Sequence, residues 1–69
     1  MKSTKISGYS VEISTCGDST NCWIEKGAYS ASLAVLQDYG YLERAGCGEH
    51  RVNPDIIDRI TEWAEANGY

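Results

Sequence analysis

The stretch from Ala28 to Tyr41, AYSASLAVLQDYGY, constrains this chain more than any other. Wound at about 100° per residue, it places Val35, Ala28, Tyr39, Ser32, Leu36, Tyr29, Gly40 and Leu33 on one broad face. Ser30, Gln37, Ala34, Asp38 and Ala31 fall on the other. That is the pattern of an amphipathic helix with a wide apolar stripe. Its end is better specified than its start. Gly40 has no Cβ and fits the left-handed position just past a helix. Counting back, Leu36 supplies the carbonyl that accepts the return hydrogen bond, and Tyr41 the accompanying apolar contact.

The rest of the chain is read outward from this helix. Residues 1–7 are polar and are expected to fray. Tyr9, Val11 and Ile13 alternate with Ser10, Glu12 and Ser14, as in a half-buried strand. Residues 16–21, CGDSTN, are dense in turn formers, so Cys22, Trp23 and Ile24 return as a second strand before Gly27 breaks the chain. After Tyr41, Leu42-Glu43-Arg44 and Glu49-His50-Arg51-Val52 flank a turn containing Gly46 and Gly48, a second hairpin. Asn53-Pro54-Asp55 is a helix start, with a capping side chain, proline at the first position and an acid in the first turn. The last helix is expected to run from Pro54 to about Asn67, with Ile56, Ile57, Ile60, Trp63 and Ala64 as its apolar stripe and Gly68-Tyr69 as its stop.

These elements predict a single small α+β domain over residues 1–69, in the order β-β-α-β-β-α, with two short hairpins packed against two amphipathic helices. The expected core is Tyr9, Val11, Ile13, Trp23, Tyr29, Leu33, Leu36, Leu42, Val52, Ile56, Ile57, Ile60, Trp63 and Ala64. Each half carries a Cys-Gly-acid turn (Cys16-Gly17-Asp18 and Cys47-Gly48-Glu49) and a helix closed by Gly-Tyr. A duplicated ββα unit is one reading of this likeness and coincidence is the other.

A chain of 69 residues buries only about 60% of the surface its unfolded form exposes, so a covalent or metal staple has something to offer it. Cys16, Cys22, Cys47 and His50 lie in the two hairpins and make a candidate structural zinc set. Two residues separate Cys47 from His50, a good ligand spacing, whereas five separate Cys16 from Cys22. The competing readings are a Cys16–Cys22 disulfide, or three free thiols with a surface histidine. Cys47 beside His50 is also the pattern of an activated thiol nucleophile. A fold this small has no room for a substrate cleft, so the expectation is a non-enzyme.

The net charge of −4 resides in residues 35–69, because the charges of residues 1–34 cancel. Such a chain lacks the basic footprint of a nucleic-acid binder. Asp58, Glu62 and Glu65 share one face of the last helix, with Asp55 in its first turn. These four, with Tyr41 and Tyr69, are the candidate partner-binding residues, and the partner they suit is a protein with a basic surface. The segment Ser30–Val52 resembles the second half of a winged helix, a helix followed by a two-stranded wing carrying Arg44, His50 and Arg51. That resemblance implies a nucleic-acid-binding domain, which the Cys/His set would stabilise with zinc. Against it, strand-like sequence precedes the helix, whose exposed positions, Ser30, Gln37 and Asp38, bring no base to a phosphate. In size and acidity the chain resembles small phage-encoded inhibitors such as anti-CRISPR proteins, which implies an inhibitor or adaptor of a nucleic-acid-handling protein. No apolar run approaches the roughly 18 residues of a membrane span, and MKSTKIS lacks the apolar core of a signal peptide, so a cytoplasmic location is expected.

Overall fold

Glycine-bearing two-residue turns fold the first half of the chain into more sheet than the apolar pattern announces. The structure is a computed structural model that describes residues 2–44 and 49–69, with side chains for 2–41 and 51–69. Its elements are β1 (Lys2–Ile6), β2 (Tyr9–Cys16), β3 (Ser19–Lys26), β4 (Tyr29–Ser32), α1 (Leu33–Tyr39), β5 (Tyr41–Arg44), β6 (Glu49–Arg51) and α2 (Pro54–Ala66). The α+β class and the two helices agree with expectation. The strands form one antiparallel sheet in the sequential order β1-β2-β3-β4-β5-β6. Four strands precede the first helix where two were expected, so the chain is not two like ββα halves.

The differences have local causes. The supposedly frayed residues 1–7 contain β1, which pairs with β2 through a turn whose Ser7 and Gly8 both have positive φ, 50° and 86°, as a type I′ hairpin requires. The expected six-residue turn shrinks to Gly17-Asp18, and Ser19, Thr20 and Asn21 join β3. Gly27, at φ 63°, opens a third two-residue turn, and residues 29–32 run back along β3 instead of starting the helix. A short isolated helix is marginal in water, so strand pairing that buries Ala31 against Ile24 prevails there. The helix begins instead after Ser32, whose extended backbone and Oγ cap the Val35 N–H at 3.4 Å.

The sheet has one covered and one open face. Along the covered face, Thr4, Val11, Ile24 and Ala31 form one cross-strand row, and Lys2, Ile13 and Cys22 another. Both helices lie on this face. Leu33 and Leu36 of α1 and Ile60 and Ala64 of α2 are buried against Tyr9, Val11, Ile13, Cys22, Ile24, Ala31 and Val52. Ile6, Tyr29, Val35, Ile56, Ile57 and Trp63 pack around that centre. Gln37 donates to Thr61 at 3.4 Å and so joins the helices. Lys26 Nζ lies over the face of the Tyr9 ring, 4.7 Å from its centroid.

One core assignment is reversed. Trp23 is 40% exposed, whereas its neighbours Cys22 and Ile24 are 1% and 0% exposed. Successive side chains of a strand point to opposite faces, and the register sets Cys22 opposite Ile13 and Ile24 opposite Val11. Trp23 therefore faces out. Tyr39, on the expected apolar face of α1, is 61% exposed at the end of a helix of seven residues. The side chain of Leu42 lies outside the described residues.

Both helix ends match their sequence signals. At Gly40, φ is 72° and the N–H donates to the Leu36 carbonyl at 2.8 Å. Asn53 starts α2, its Oδ1 accepting the Asp55 N–H at 2.8 Å. At the other end Tyr69 N–H reaches the Ala64 carbonyl at 2.9 Å and Gly68 N–H the Glu65 carbonyl at 3.3 Å, the double closure typical of a glycine-terminated helix.

Candidate functional site

The amphipathic spacing of α2 determines what its outer side presents. With Ile60 and Ala64 buried, Asp55, Asp58, Glu62 and Glu65 all lie on solvent. Steps of three, four and three residues make them a continuous row about 15 Å long. Arg59 is the one base on that side of the helix, and it too is exposed. Like charges at these spacings repel mildly, so beyond the first-turn Asp55 the row adds nothing to helix stability.

The structure divides the six candidate partner-binding residues. Tyr69 is 40% exposed at the end of α2, close in sequence to the acidic row. Tyr41 belongs to the sheet. Ser30 opposes Glu43, and Tyr41, two residues from Glu43 on β5, shares the open face. Its ring lies 5.9 Å from that of Tyr39 and 5.2 Å from the Arg51 guanidinium. Arg51 also donates to the Tyr39 carbonyl at 3.3 Å.

The four expected zinc ligands are not all brought together. Cys22 is buried beside Ile13 on the covered face, and burial pushes its thiol pKa up. Cys16 is exposed, opposite Ser19 at the far end of the hairpin. Strand parity puts the two on opposite faces with three residues of strand between them, roughly 10 Å. They can neither share a metal nor form a disulfide without rebuilding the hairpin. Cys47 and the side chain of His50 lie outside the described residues, and so does the proposed thiol–imidazole pair. Among the described residues no three His, Cys, Asp or Glu side chains cluster as a metal site. The winged-helix expectation also changes. The strand β4 leads directly into α1, so no helix-turn-helix precedes the wing, and the side chains of Arg44 and His50 lie outside the described residues. Among the described residues no helix is long and apolar enough to cross a membrane.

The feature that sequence reasoning missed is on the open face of the sheet. Its rows run Lys5–Ser10–Glu25–Ser30 and Ser3–Glu12–Trp23–Ser32. The β1–β3 part of these rows floors an open concavity of about 380 Å³ whose lining includes Ser3, Lys5, Ser10, Glu12, Trp23 and Glu25. The signal was present in the alternation of β3, where Asn21, Trp23 and Glu25 share one parity and Cys22 and Ile24 the other. Reading residues 19–21 as turn hid it. Compared with known proteins, the chain matches no protein family, no curated protein and no solved structure.

Proposed function

We propose that this chain is a non-enzymatic protein-binding module, an inhibitor or adaptor, that engages a basic partner through α2. The observation that carries this reading is the unbroken row Asp55, Asp58, Glu62 and Glu65, exposed and opposite the buried Ile60 and Ala64. Four carboxylates held on a rigid helix complement a groove lined by Lys and Arg, the kind of surface with which proteins hold nucleic-acid phosphates. Such complementarity acts first on the rate of encounter.

The test uses the parent and a variant carrying Asp58→Lys, Glu62→Lys and Glu65→Lys as baits in a lysate of the source cells, followed by association kinetics with the captured protein across a salt series. The variant should fold, because none of the three side chains touches the core. The parent should capture a basic protein at a rate that falls with salt, and the variant should lose it. A folded variant that associates at the parent's rate overturns the proposal.

A further inference from the structure

The open face of the sheet carries a second set of recognition groups, on the side of the molecule away from α2. We propose that this face docks an arginine side chain borne on an extended segment of a protein partner, with the guanidinium lying on the Trp23 indole between the Glu12 and Glu25 carboxylates. This inference does not rest on the reading of α2.

Three observations carry it. Trp23 leaves 40% of its surface in water in a chain too short to spare large apolar side chains. The register then frames it with acid. Glu12 is directly opposite Trp23 and Glu25 is two residues along the same strand, so their Cβ atoms lie about 5 and 7 Å from that of Trp23. Glu12 and Glu25 are diagonal neighbours on the same face, with backbones about 7–8 Å apart, so both carboxylates can reach one planar cation placed on the indole. Lastly, these groups line a concavity of about 380 Å³, within the size range of ligand sites.

The chemistry selects the occupant. An aromatic face attracts a cation, and a guanidinium stacks on indole while its N–H groups reach carboxylates at its edge. Lys5, across Ser10 from Glu25, leaves the site with one net negative charge and sets a limit on its affinity. Serines complete the floor and can bond to a peptide backbone. The concavity reaches β1, the edge of the sheet, so an extended chain can enter from the side.

The test is an amide and indole NMR titration of the full chain with acetyl-Ser-Arg-Ser-amide, repeated with citrulline in place of arginine as the neutral isostere. Arginine should cause saturable shifts of the Trp23 indole N–H and of the Ser10, Glu12 and Glu25 amides, and citrulline should not. The double variant Glu12→Gln/Glu25→Gln, which keeps size but removes the charge and one acceptor oxygen of each group, should bind about fivefold more weakly or worse. Trp23→Ala should weaken binding about two- to fivefold. Lys5→Gln should tighten it. The triple reversal on α2 should leave it unchanged, which separates this site from the acidic row. Equal shifts with citrulline, shifts spread over the α2 amides, or a double variant that binds like the parent would each overturn the assignment.

Discussion

Gly40 is where backbone conformation can be tested apart from packing. Its φ of 72° and ψ of 26° are left-handed, and its N–H and carbonyl both hold the chain there. The N–H closes α1 on Leu36 at 2.8 Å, and the carbonyl accepts the Val52 N–H at 3.2 Å. A Cβ built on Gly40 would meet nothing within 4 Å. Any cost of a substitution is therefore conformational. An L-residue in this region costs about 1–2 kcal/mol. Alanine also stiffens the unfolded chain, which returns about 0.4–1 kcal/mol. Gly40→Ala should thus destabilise by about 1 kcal/mol, a fall in Tm of about 4–8 °C for a domain of this size. Asn should cost less, and Val, branched at Cβ, should cost more than Ala. A synthetic chain with D-alanine at position 40 isolates the effect, because the unfolded-state term is the same for both enantiomers. The D form should exceed the L form by about 1–2 kcal/mol and equal or exceed the parent. Thermal melts followed by circular dichroism provide the measurement. Enantiomers that melt together would refute the account of how α1 ends.

The register of β3 predicts that Ile24→Ala costs about 2–5 kcal/mol and Trp23→Ala less than about 1 kcal/mol, as read by denaturant unfolding; the reverse ranking would contradict the register. Cys16 should react at once with a thiol reagent in the native state while Cys22 reacts only as the chain unfolds, and Cys22→Ser should cost about 1–3 kcal/mol as a buried hydroxyl without a partner. Burial raises the Cys22 thiol above its ordinary 9.0 and the Tyr9 phenol above its ordinary 10.0. Both groups contribute stability that is fully present below those values and is lost as pH rises through and above them, because the unfolded chain then releases protons the native state retains. Melts from pH 8 upward should therefore show falling stability, with the decline less steep in Cys22→Ala. A chelator should leave the melt of the parent unchanged, since Cys16 and Cys22 cannot meet at one metal; a large drop would mean that zinc holds the chain.

Where local chemistry settles the outcome, the sequence alone was enough. Gly40 stops α1, Asn53-Pro54 starts α2, and Ile60 with Ala64 sets which side of α2 is buried, because each depends on residues within a turn or two of one another. That same periodicity exposed the acidic row. Serine-rich strands are hard to read locally, since Ser3 looks like a polar lead-in, Ser19 like a turn residue and Ser30 and Ser32 like helix positions until a neighbouring strand supplies partners for their backbone. Residues 28–32 suit either a helix or a strand, and only pairing with β3 decides. The face of Trp23 is likewise a property of the register, because a shift by one residue would exchange it with Cys22 and Ile24. From its sequence the chain obtains the end of α1, both ends of α2 and its class; the start of α1, the six-stranded order, the separation of Cys16 from Cys22 and the acid-flanked indole come from contacts between segments, whose free energies appear only when the sheet closes against the helices.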